Sequence, residues 1–164
     1  MADYYTLVSF EVRASREEAD YAKDLYSAIE EAIEDGGGGE IVEFSDDTPE
    51  QVKADALEFY RTHIDEPVIG FNMEEQRYGE DIALWFSVPG EGNIDMLCEF
   101  VEHLVIKFSW APAVFHWANT CSKPITDAYG GGVCIITKKG VHYMDTYQWA
   151  TQKLLELELA GDVS

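Results

Sequence analysis

Residues 133–144 read Val-Cys-Ile-Ile-Thr-Lys-Lys-Gly-Val-His-Tyr-Met. Val133 to Thr137 is β-branched and apolar, Lys138-Lys139-Gly140 supplies turn chemistry, and Val141 to Met144 returns. The stretch predicts a β-hairpin, which makes the sheet at least partly antiparallel. Just upstream, Gly130-Gly131-Gly132 leads into the hairpin, and Ala113 to Asn119 reads as another strand. Downstream, Asp145 is placed to cap a last helix with Gln148 in the box position. The apolar residues of that helix are Tyr147, Ala150, Leu154, Leu155 and Leu157.

Further toward the N-terminus, Asn93 caps a helix whose stripe is Leu97, Phe100, Val101, Leu104 and Phe108. Met96, Val105 and Ile106 widen the stripe, so this helix is expected to be the most buried. Residues 82–88 predict a strand stopped by Pro89-Gly90. Residues 4–12 predict the first strand. Ser15 and Glu18 then form a capping box for a helix over 16–34, with Ala22, Leu25, Tyr26, Ile29, Ala32 and Ile33 inward. Gly36 to Gly39 end that helix. They do not form a phosphate loop, because no Lys-Ser/Thr pair or helix start follows. Residues 40–45 read as a short strand. Thr48, Pro49 and Gln51 signal a second capping box and a helix to about Thr62. Residues 63–80 are polar with two glycines, and only Val68 to Phe71 suggests a short strand.

The resulting order predicts one α+β domain over 1–164, with a mixed, largely antiparallel sheet and helices mainly on one face. Each half begins strand, helix, strand, which allows a duplicated ferredoxin-like arrangement, although no residue-level repeat supports it.

The chain has 164 residues, 46% of them hydrophobic and 13% aromatic, enough for one core and unlike a disordered acidic tail. No apolar run approaches the roughly 18 residues of a membrane span. The first residues carry no basic and apolar leader pattern, so no signal peptide is expected. Three cysteines at irregular spacing argue against a disulfide framework and for a reducing cytoplasm.

The net charge is −21. Residues 1–100 hold 26 acidic and 6 basic residues, and residues 101–164 hold 6 and 5. Such a field repels nucleic acid and anionic membranes and attracts basic protein surfaces. The candidate partner-binding residues are Glu17, Asp20, Asp24, Glu30, Glu31, Glu34, Asp46, Asp47, Glu50, Asp55 and Glu58. Carboxylates at i, i+3, i+4 and i+7 on a helix imitate the charge density of a phosphate ladder. The competing reading is a charge that only keeps the protein soluble.

Four other constellations are weaker. His116, Cys121, Cys134 and His142 are zinc-type ligands, but their spacing fits no known finger, so no metal is assigned. Cys121 with His116 or His142 and Asp127 or Asp145 makes a nucleophile set without a surrounding signature. The carboxylate pairs Asp46/Asp47, Glu74/Glu75 and Glu80/Asp81 lack calcium-loop spacing. The polar segment 117–124, followed by Asp127 and three glycines, offers an alternative pocket on Asn119, Cys121, Ser122, Lys123 and Asp127. Its plain reading is an irregular connection that satisfies its own backbone.

Three stretches, Tyr4-Tyr-Thr-Leu-Val-Ser-Phe10, Glu17-Glu-Ala-Asp-Tyr-Ala22 and Trp117-Ala-Asn-Thr-Cys-Ser-Lys-Pro124, resemble small uncharacterised bacterial and phage proteins. The small acidic format is similar to toxin-immunity proteins and phage anti-defence inhibitors. That resemblance points toward an inhibitor, and with the charge, the cysteine usage and the absence of an enzyme motif the expectation is a non-enzymatic, cofactor-free cytoplasmic inhibitor. It would bind a basic protein, such as a nuclease or another nucleic-acid-processing enzyme, without touching nucleic acid or membrane. The alternative is a small enzyme or ligand-binding domain centred on residues 116–132. A third reading is a subunit of an assembly using exposed Trp110 and Trp149.

Overall fold

Phe10, Phe86 and Phe115 stack across three neighbouring strands, with ring centroids 5.2 and 4.8 Å apart, and mark the sheet face that carries the core. In the computed structural model, which describes residues 1–36, 42–66 and 68–162, β1 (Tyr4–Ala14) is followed by α1 (Arg16–Gly36) and α2 (Glu50–Thr62). Then come the hairpin β2 (Asn72–Tyr78) and β3 (Asp81–Gly90), the helix α3 (Ile94–Phe108), the strands β4 (Ala113–Cys121), β5 (Gly130–Thr137) and β6 (Gly140–Asp145), and α4 (Thr146–Leu159). The six strands form one sheet in the order β2-β3-β1-β4-β5-β6, every neighbouring pair antiparallel. The fold is α+β.

The first four strands follow the order of a single ferredoxin-like βαββαβ unit, with α1 and α2 together in the first crossover and α3 in the second. β5 and β6 then extend the sheet as a meander, so the described residues contain one such unit and not two. α1 and α3 pack on the sheet. α2 packs on α1 and reaches α3 through Phe59 against Phe100, at 6.5 Å between rings. The core is filled by Leu25, Ile29, Leu84, Phe86, Met96, Leu97, Phe100, Leu104, Phe115 and Ile136, all fully buried.

Local signals decide most boundaries. The Ser15 Oγ accepts from the Glu18 N–H at 3.2 Å, and Glu18 Oε2 accepts from the Ser15 N–H at 2.7 Å, a complete capping box. Asn93 Oδ1 accepts from the Met96 N–H, and Asp145 Oδ1 from the Gln148 N–H. The expected box at Thr48 is not formed. Pro49 occupies the cap position without a side-chain bond, and Gln51 turns its amide to Asp55 at 2.9 Å.

Other expectations change too. The strand expected at 40–45 is not formed over 42–45, and residues 40 and 41, like most of the Gly36–Gly39 stretch, lie outside the described residues. The short strand suggested at Val68 to Phe71 is not formed, and β2 follows it at Asn72–Tyr78, where the residues gave no strand signal. β3 continues through Pro89-Gly90 because that end pairs with Leu7 and Thr6 of β1. α4 touches β5 and β6 but buries none of its side chains; Tyr147, Leu154 and Leu155 are exposed. Trp110 stacks on Phe108 at 5.8 Å and is half-buried, whereas Trp149 is exposed.

Candidate functional site

The amphipathic pattern of α1 puts Ala19, Ala22, Leu25, Ala28, Ile29 and Ala32 in the core, which turns Glu17, Asp20, Asp24, Glu30 and Glu34 outward. Three of the six basic residues of the acidic half, Arg16, Lys23 and Arg77, are drawn to one inner acid. Glu75 on β2 is only 11% exposed. It accepts two bonds from the Arg16 guanidinium at 2.8 Å, one from Lys23 at 2.9 Å and one from Arg77 at 2.8 Å. These bonds, Arg16 first, hold the Glu75 carboxyl well below the usual carboxylate range. Arg13 pairs with Asp81 and Lys53 with Glu50.

The outer carboxylates therefore go largely uncompensated. Among the described residues Glu17, Asp24, Glu34, Asp46, Asp47 and Glu58 have no ion-pair partner. Burial, and then the charge of Glu34, push the Glu30 carboxyl up. Glu31 is half-buried and accepts from the Ser45 N–H and hydroxyl at 3.0 and 2.8 Å, tying the loop before α2 to α1.

Asp55 is the inward exception among the α2 acids. Its carboxylate accepts from the Tyr21 hydroxyl and the Gln51 amide, with His103 Nε2 at 3.8 Å and Lys107 Nζ at 3.7 Å. Burial pushes Asp55 up, but these donors and cations outweigh it, and the carboxyl is held below its ordinary value. Burial keeps the His103 imidazolium disfavoured, and burial with the Asp55 bond raises the Tyr21 phenol far above its usual range. The cluster stitches α1, α2 and α3 together, so Asp55 is spent inside the molecule.

α3 contributes acids that the sequence reading passed over. Asp95, Glu99 and Glu102 recur at i, i+4 and i+7 beside the buried stripe. With His63 and Glu66 they wall a cavity of about 660 Å³ whose floor includes Cys98, Cys134 and Trp117. His63 Nε2 lies 2.6 Å from Glu99 Oε2. Glu99 and Glu102 also border a shallower groove with Glu58 and His103. The acidic surface thus runs from α1 across α2 onto α3. The i, i+4, i+7 signal was present, but a sequence cannot show that the flank of α3 stays uncovered.

The 116–132 segment comprises the end of β4, the connection 122–129 and the start of β5. Ser122 Oγ accepts from the Asp3 N–H at 2.9 Å, and the Asn119 carboxamide accepts from Thr6 at 3.1 Å. The Tyr129 hydroxyl donates to the carbonyls of Cys121 and Lys123. Asp127 is exposed at φ 62. Asn119 and Asp127 border one shallow pocket with Tyr4 and Tyr147, while Cys121, Ser122 and Lys123 do not line it.

Strand register also separates the zinc-type ligands. Cys134 faces the helices on the Phe115 side, whereas His116 and His142 lie on the open face of the sheet, on β4 and β6 with β5 between them. No three His, Cys, Asp or Glu side chains gather into a metal-holding group among the described residues. No described helix is long and apolar enough to cross a membrane. Compared with protein-family models, curated proteins and solved structures, the chain matches none of them.

Proposed function

We propose that this protein is a non-enzymatic inhibitor, of immunity or anti-defence type. Its acidic helical layer fills the basic site of a nuclease or another nucleic-acid-processing protein in the cytoplasm. The observation that carries the reading is the arrangement of charge. Arg16, Lys23 and Arg77 converge on Glu75, and among the described residues Glu17, Asp24, Glu34, Asp46, Asp47 and Glu58 have no ion-pair partner. A field of one sign steers a basic partner and sets specificity, adding more to the association rate than to raw affinity. The layer would mimic nucleic acid in charge density and not in atomic detail.

The test is partner capture from lysate of the source or host, followed by binding kinetics with the captured protein. The variant carries Glu17→Lys, Asp24→Lys and Glu34→Lys; Glu31 is left alone because it holds Ser45. The expected result is one basic nucleic-acid-binding partner, released at high salt, whose association rate falls at least about tenfold with the variant while folding is unchanged. An unchanged association rate overturns the acidic-layer reading.

A further inference from the structure

Cys98 on α3 and Cys134 on β5 meet across the helix–sheet interface with their sulfurs 3.5 Å apart. Both are buried, Cys98 at 8% and Cys134 at 1% exposure, and both are free thiols. Both belong to the buried core and also line the cavity of about 660 Å³ on the flank of α3. Two thiols this close beside a cavity need no third cysteine to form a disulfide, only a two-electron oxidant.

We propose that Cys98 and Cys134 are a redox pair that closes to an intramolecular disulfide when a small uncharged peroxide enters this cavity. The proposal is independent of the partner-binding reading. In the first step the sulfur of one cysteine, its proton lost, attacks a peroxide oxygen. The S–O bond forms, the O–O bond breaks, and the departing hydroxide takes up that proton as water. In the second step the other sulfur attacks the sulfenic sulfur. The S–S bond forms, the S–O bond breaks, and the hydroxyl leaves with the second thiol's proton as water. Two thiols are oxidised and one hydrogen peroxide is reduced to two waters.

A disulfide has sulfurs about 2.0 Å apart, so the pair closes by roughly 1.5 Å, a distance on the scale of side-chain rotation. At 3.5 Å the thiol of one cysteine can donate to the other sulfur, so whichever loses its proton first has its thiolate stabilised by the remaining S–H. The walls select the oxidant. Glu66, Asp95, Glu99 and Glu102 are among the lining residues, and their charge repels anionic oxidants such as glutathione disulfide while leaving neutral peroxide unaffected. The crosslink pins α3 to β5 and resists unfolding.

The full chain is treated with hydrogen peroxide or with glutathione disulfide at the same concentration, then analysed by thiol titration, intact mass and peptide mapping. With peroxide, titratable thiols fall from three to one, the mass drops by two hydrogens, and the linked peptide joins Cys98 to Cys134. Dithiothreitol restores all three thiols, and the oxidised form unfolds at higher temperature. Glutathione disulfide reacts more slowly. The Cys121→Ser variant still loses two thiols, and Cys134→Ser forms no internal crosslink. Three thiols surviving peroxide, a crosslink through Cys121, or oxygen added to one cysteine without a crosslink would each overturn the pair. Equal rates with the two oxidants would overturn the selectivity.

Discussion

Glu75 shows how one side chain organises its surroundings. Replacing it with Gln strands Arg16, Lys23 and Arg77 beside an uncharged group, so the thermal midpoint should fall. Its folded pKa is depressed, so its contribution is present above the ordinary carboxylate pKa and is lost as pH falls toward the folded value. The gap in urea midpoint between wild type and Glu75→Gln should therefore narrow below about pH 4.5. His103 acts earlier on the same side. Its folded pKa is also depressed, so protonation opposes folding and stability declines as pH drops below about 6.5. Phe100 carries a different weight. It is fully buried, with the rings of Tyr26, Phe59, Phe71 and Phe86 within 6.5 Å. Phe100→Ala should cost about 3–5 kcal/mol in chemical denaturation. Gly132 is needed for space: a Cβ there would sit 2.3 Å from the Met144 carbonyl oxygen and 2.4 Å from the Trp117 ring.

At the scale of elements, caps and packing separate. The Asn93 carboxamide holds the first turn of α3, the most apolar helix, and Asn93→Ala should cost about 1 kcal/mol, read as a shift in urea midpoint. α4 has a sound cap at Asp145 yet buries nothing. Removing residues 146–164 should change the midpoint far less than Phe100→Ala does. β2 shows the reverse case. Its residues Asn72 to Tyr78 are polar or charged at most positions, and the strand exists because its backbone pairs with β3 through Tyr78↔Asp81 to Asn72↔Ser87. An edge strand whose inward position is an ion-paired Glu75 has no apolar alternation to read, so its sequence looked like a loop.

For the whole molecule, a charge of −21 on 164 residues is a source of self-repulsion. Raising salt from about 0.02 M to about 0.5 M should raise the urea midpoint, because screening relieves repulsion among the many unpaired outer carboxylates more than it weakens the few ion pairs at Glu75. Partner binding should move the opposite way and weaken with salt. The two measurements together separate a surface used for recognition from one that only keeps the chain dissolved, since the second has no partner to lose.

The periodicity of α1 and α3, the caps at Ser15, Asn93 and Asp145, and the 133–144 hairpin were legible because each depends on residues within a few positions of one another. The excess of acid in residues 1–100 was legible for the same reason: it is a count. Long-range pairing decided the rest. It set the order β2-β3-β1-β4-β5-β6, placed α2 outside α1 and turned Asp55 inward to Tyr21 and His103. It also gathered Asp95, Glu99 and Glu102 around a cavity and brought Cys98, 36 residues away in sequence, against Cys134. Those outcomes depend on which faces meet, and a local pattern of charges and apolar residues specifies a face without specifying what lies against it.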